Sequence, residues 1–138
     1  MEGVDEMTGF LAARLAFARL VVRDLQKQTA FYRAVFGYSE GQFVRDKIAR
    51  RPFEEIILSG LDGKIELAIL QFMEGPDPVP TGSMVGFFTQ DLDAFEARIL
   101  AAGGTVVQAI GPLQMGERSV RFAFYGDPEG HVLEVIER

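Results

Sequence analysis

The 138-residue chain has no cysteine and a single histidine, His131. The first absence removes disulfides, thiolate nucleophiles and every cysteine-based metal site, and fits a reducing compartment; a cytoplasmic location is expected. No stretch approaches the ~20 apolar residues needed to span a bilayer, so no membrane partner is expected. The N-terminus carries Glu2, Asp5 and Glu6, the wrong sign for a secretion signal. Positive charge is also scarce: 14 Lys and Arg stand against 20 Asp and Glu, a formal net charge of −6. That disfavours nucleic acid, because phosphate binding needs clustered Lys and Arg. The local exception is Arg45, Lys47, Arg50 and Arg51. A solvated loop is the preferred reading there; a rim that attracts an anionic ligand is the sharper one.

What remains is a chain for one folded domain, 48% apolar and long enough to bury a core. Its clearest stretch is Tyr125-Gly126-Asp127-Pro128-Glu129-Gly130 followed by His131 to Glu137. Asp-Pro and Gly are turn chemistry. The strand after the turn alternates, with Val132, Glu134 and Ile136 on one face and His131, Leu133 and Val135 on the other. A carboxylate between two apolar residues means either a wet face or a pocket in which Glu134 has a task.

The first thirteen residues read as an arm or short amphipathic helix, with Val4, Met7, Phe10 and Leu11 at helical spacing. Arg14 to Arg23 then reads as a strand. Asp24 caps a helix through Leu25, Gln28, Tyr32, Val35 and Phe36, and Gly37 ends it. Tyr38 to Val44 predicts a strand, Asp46 to Pro52 a loop, and Glu54 to Ser59 another strand. Asp62-Gly63 predicts a hairpin turn, and Lys64 to Phe72 a fourth strand. Residues 74–83, with Pro76, Pro78 and Pro80, form a linker. The pattern then returns. Met84 to Gln90 is a strand, Asp91 caps a helix that Gly103-Gly104 stops, and Thr105 to Ala109 is a strand. Gly111-Pro112 opens a loop, and Ser119 to Tyr125 and the closing strand follow. Asp24-Leu25 recurs as Asp91-Leu92, 67 residues on, so the order of elements points to an internal duplication: modules 14–73 and 84–138 within one domain, 14–138.

Two βαβββ modules, Phe31-Tyr32 through Phe36-Gly37-Tyr38, and the closing Asp127-Pro128-Glu129-Gly130-His131 with Glu134 resemble the vicinal oxygen chelate superfamily. That superfamily includes glyoxalase I and the bleomycin-resistance, fosfomycin-resistance and extradiol dioxygenase proteins. The resemblance implies an α+β fold in which two modules form a cup-shaped mixed β-sheet around a ligand. It does not imply a reaction. It also implies four metal-ligand positions: Phe17, Glu66, Met84 and Glu134. Phenylalanine offers no lone pair, and a thioether is a poor partner for hard or borderline ions. No cofactor is therefore expected, with a divalent metal as the alternative. His131 belongs to the family's turn motif rather than to its ligands.

Glu134 is a candidate base or a strand residue paired to an arginine; structural pairing ranks above catalysis. Glu66 is a candidate base or a solvent-exposed strand residue, and its place in Lys64-Ile65-Glu66-Leu67 favours the cup. Arg19 shares the face of Phe17 and needs a partner, either Glu66, Glu134 or a ligand's anionic group. Arg121 is a second such candidate. Phe17, Met84 and Phe88 are expected to line the cup, with Gly86 leaving room for a ligand and Gln90 near the strand's end; ordinary core filling is the simpler reading of each. The expected function is metal-independent binding of a small organic molecule in an apolar cup. A lyase, isomerase or dioxygenase-type enzyme using Glu134 or Glu66 is the alternative, and a structural dimer with a filled cup the third. A homodimer is implied by the resemblance.

Overall fold

The computed structural model describes residues 13–138; the expected N-terminal arm lies almost entirely outside them. Among the described residues, eight strands and two helices follow one another as β1 (Ala18–Val21), α1 (Leu25–Phe36), β2 (Ser39–Ile48), β3 (Arg51–Ser59), β4 (Ile65–Phe72), β5 (Val85–Thr89), α2 (Leu92–Ala101), β6 (Thr105–Met115), β7 (Arg118–Gly126) and β8 (Val132–Glu137). The strands make two sheets of four, in the orders β1-β4-β3-β2 and β5-β8-β7-β6. In each sheet the first strand of a module pairs in parallel with its last, and the other pairs are antiparallel. This is the α+β, twice-repeated βαβββ architecture expected.

The duplication reaches down to single hydrogen bonds. Asp24 and Asp91 each accept from the amide three residues on, Lys27 and Ala94, both at 3.0 Å. The first helical amide of each module is also taken by a side chain from its last strand: Leu25 N donates to Gln71 at 2.9 Å, and Leu92 N to Glu137 at 2.9 Å. These satisfy amides that a helix start otherwise leaves open. Gly37 closes α1 in the left-handed region at φ 72°, and its amide returns to Arg33 O.

One face of each sheet packs under its helix. Leu20, Val22, Ile56, Leu58, Leu67 and Ile69 do so in the first module, and Ala123, Tyr125, Leu133 and Val135 in the second. These residues and the buried faces of α1 and α2 form one continuous core. The modules meet there: the Phe36 ring stacks on Phe87 at 4.0 Å between centroids and lies 5.1 Å from Phe95. Among the described residues, no helix packs on the opposite face of either sheet.

Three boundaries differ from expectation. The strand expected over Arg14 to Arg23 is confined to Ala18–Val21. The supposed loop at Asp46 to Pro52 is mostly strand. Ile48 pairs with Arg51, and the chain reverses through Ala49 (φ 47°) and Arg50 (φ 71°), left-handed positions where glycine or asparagine is usual. The strand expected to end at Ala109 runs on to Met115, through two register shifts and Pro112. β6 is an edge strand, where a missing amide donor is tolerated.

Candidate functional site

Strand parity sets Phe17, Arg19, Ala68, Ile57 and Glu55 on the face of the first sheet opposite α1. Arg19 finds a partner here, but neither of those expected. Its Nε lies 2.5 Å from the Glu55 carboxylate, reaching across β4 at the small Ala68. The Glu55 side chain is only 3% exposed and that of Arg19 is 38% exposed. Glu66, by parity on the same face, has its carboxylate against Gly60 and accepts the Tyr38 hydroxyl at 2.9 Å. Burial, with this bond to Glu66, raises the Tyr38 pKa and keeps the hydroxyl a donor. Arg51, from β3, stacks over Phe72 at 3.9 Å. The polar groups of this face are thus largely partnered within the module.

The second sheet is different. The face opposite α2 presents Gly86 and Phe88 from β5 with Met84 just ahead of it, Glu134 and Ile136 from β8, and Phe122 and Phe124 from β7. Gly86 lies directly across from Glu134, and a Cβ built there would stand 3.9 Å from its Oε1. Glu134 is half-buried and, among the described residues, has no hydrogen-bond or ion-pair partner. Met84 is 63% and Phe88 59% exposed, and Phe17 on the first sheet is 39% exposed. These three do not fill a packed core within the chain, against the filled-cup reading.

Arg121 requires a correction. It shares the parity of Ala123 and Tyr125 and so lies on the helix-covered face. There it donates to both oxygens of Glu137 at 2.9 Å and to Asp93 on α2 at 2.9 Å. The fork holds the Glu137 carboxyl down at about 2, helped by the Leu92 amide. Arg121 is a brace between β7, β8 and α2, facing away from any ligand on the open face. Two cavities lie elsewhere than between Glu66 and Glu134, for which a shared cup is expected. One, of about 400 Å³, lies between the end of α1, β5 and α2, and the other, of about 160 Å³, on the second sheet; neither carboxylate lines them.

His131 and its turn do structural work between the modules. Asp127 is buried and accepts from Gln28 Nε2 at 2.8 Å, Tyr32 Oη at 2.6 Å, and the amides of Glu129 and His131 at 2.9 and 3.0 Å. His131 Nδ1 lies 3.0 Å from the same carboxylate and Nε2 lies 3.3 Å from Val21 O. Burial pushes the Asp127 pKa up, but His131, Tyr32 and Gln28 outweigh it and leave it below the usual range. Burial pulls the His131 pKa down, and the Asp127 carboxylate outweighs that in turn, leaving it raised. Glu129 accepts the amides of Arg23 and Asp24 at 2.7 and 2.8 Å, just ahead of α1.

With this geometry, residues 14–135 match the model of one protein family. The chain belongs to the glyoxalase/bleomycin resistance protein/dioxygenase superfamily. Lactoylglutathione lyase of Salmonella typhimurium is 31% identical over 129 residues, covering 90% of this chain and 92% of that one. Among solved structures, a glyoxalase family protein from Bacillus cereus superposes with a TM-score of 0.74 at 18% identity, covering 95% of this chain and 97% of that one. The fosfomycin resistance protein FosX from Listeria monocytogenes gives a TM-score of 0.68 at 24% identity, covering 91% and 93%. FosX has also been crystallised with Mn(II) and 1S,2S-dihydroxypropylphosphonic acid.

A metal in the superfamily's usual place would meet a poor donor set here. Phe17 and Met84 stand at two of the four positions that the family resemblance implies. Glu66 is engaged by Tyr38, and the Arg19 guanidinium occupies the same face. Within one chain no three His, Asp or Glu side chains come together among the described residues. The residues present do not fit a divalent metal in the superfamily's manner.

Phe122, Phe124 and Glu55 escaped the sequence reading. The first two point opposite to Arg121 and Tyr125 on β7, so reading the strand's parity from Tyr125 would have found them. Glu55 had no such signal, because its partner depends on strand order.

Proposed function

We propose that this superfamily member binds a small organic molecule on the open face of its second module, without a metal. One observation carries the reading: the half-buried, unpartnered Glu134 sits among exposed or half-exposed apolar and aromatic side chains, with glycine opposite it. A half-desolvated carboxylate without a donor favours a ligand that brings one. Met84 and Phe88 give that ligand an adaptable apolar seat. The exposed Phe17, Met84 and Phe88 support a homodimer in which a second copy closes the cup, the association that the family resemblance implies. The cysteine-free composition accords with a cytoplasmic setting. Among the described residues, no helix is long and apolar enough to cross a membrane.

The second reading is an enzyme. It rests on the 31% identity to a lactoylglutathione lyase and on Glu134, which as an unpaired carboxylate beside apolar groups can serve as a base. Native mass spectrometry and elemental analysis, after dialysis without chelator, separate the two. The binder predicts well under one metal ion per chain and a co-purifying organic molecule. Phe17→His with Met84→His should then create Zn²⁺ or Ni²⁺ binding, measurable by calorimetry and absent from the parent. A full complement of metal in the parent protein would overturn the binder.

A further inference from the structure

Arg118 and Arg138 flank the pocket of about 160 Å³ on the open face of the second sheet, with Met115, Val120 and Ile136 lining it. Arg19, Arg45 and Arg121 each hold a carboxylate. Arg118 and Arg138 hold none among the described residues. Arg138 is instead laid over the Phe88 ring, 4.8 Å from its centroid. In a chain with 20 acidic and 14 basic residues, two guanidinium groups without carboxylates beside one apolar pocket have an open valence for an anion. Guanidinium offers a planar fork of donors that matches carboxylate and phosphate oxygens.

The subsite also has a defined place along the sheet. Gly86 pairs with Glu134 and Phe88 with Ile136, and Arg138 comes next on the same face. Four residues of strand separate Glu134 from Arg138, roughly 13 Å. We propose that Arg118 and Arg138 form an anion-binding subsite that takes the carboxylate or phosphate of an elongated ligand, whose apolar body lies over Ile136 and Phe88 towards Glu134. This rests on the reading of the same face as a ligand surface.

The test uses the full chain labelled at its methionine methyls. Met115 reports the pocket, and Met84 reports the far end of the face. Phenylphosphate, phenylacetate, inorganic phosphate and neutral benzyl alcohol are titrated separately. The expected result is that phenylphosphate or phenylacetate shifts Met115 and binds about tenfold more tightly than benzyl alcohol, with the gain falling as salt rises. Which of the two binds better identifies the anion. Arg118→Ala and Arg138→Ala should each remove most of that gain while leaving the thermal midpoint unchanged, since both side chains are exposed. The proposal is overturned if neither anion exceeds benzyl alcohol, if both variants bind as the parent does, or if the anions act at the Lys47–Arg50 hairpin instead. If benzyl alcohol alone shifts Met84, the subsite fails and the ligand surface stands. If no probe shifts either methionine, the ligand surface fails with it.

Discussion

The two modules share a scaffold and differ in what they leave unpaired. In the first, Arg19 holds Glu55, Tyr38 holds Glu66, and Arg51 lies on Phe72. Its helix start is bound by Glu129, and Gln28 and Tyr32 within the helix by Asp127, both from the second module's turn. In the second, Glu134, Arg118 and Arg138 have no oppositely charged partner among the described residues, and Met84 and Phe88 stand in solvent. Duplication therefore supplied two equal frames. On the sheet face opposite its helix, one has its charges paired, and the other leaves them available.

Substitutions should divide along that line. The largest loss belongs to Asp127→Ala, which strands Gln28, Tyr32 and His131 without their shared acceptor. About 3–5 kcal/mol should disappear in chemical denaturation, as for other buried hydrogen-bonded charges. A loss below about 1 kcal/mol would break the idea that the turn ties the modules together. Next comes Glu55→Ala, expected to cost about 2 kcal/mol because the carboxylate is buried; the 38% exposure of the Arg19 side chain discounts the full value for a buried pair.

The His131–Asp127 pair should also give the protein an upper pH limit. His131 has a raised folded pKa, so its contribution is fully present below the unfolded value of about 6.5 and is lost as pH rises through the folded one. Asp127 has a lowered folded pKa, so its contribution is present above about 3.9 and is lost as pH falls through the folded value. Thermal midpoints across pH should fall on both flanks, and His131→Asn should flatten the alkaline one. An unchanged alkaline flank in that variant would remove the imidazole from the account.

The smallest effect is expected at Glu134→Gln. Stability should change by less than about 0.5 kcal/mol, because no partner is lost, while binding of a co-purified ligand weakens measurably. Strong destabilisation there would make Glu134 a structural residue and blur the contrast between the modules.

Caps and turns were the most legible part of the fold, because they are set by residues within a few positions. Asp24, Asp91 and Gly37 each act where their side chain or φ requires. The reversal at Ala49-Arg50 was illegible because neither residue advertises a left-handed backbone. The continuation of β6 through Gly111-Pro112 was hidden because its tolerance for proline comes from lying at a sheet edge. At the candidate site, alternation placed Phe17, Arg19, Met84, Gly86 and Phe88 on the sheet faces opposite α1 and α2. Alternation gives no neighbours, however. Arg19 reaches Glu55 only because β4 lies between β1 and β3 with Ala68 in the path. Arg121 went astray for want of a fixed parity.

The turn from Asp127 to His131 has a consequence for synthesis. As the chain leaves the ribosome, the first module has all of its strands and its helix before residues 127–131 exist. Until they arrive, Gln28 and Tyr32 lack their acceptor, and the amides of Arg23 and Asp24 have no carboxylate to bind. An interrupted chain is thus left with exposed, poorly held backbone at the first module's helix. A chain cut ahead of Asp127 should therefore be cleaved faster at this helix in limited proteolysis than one that carries the turn.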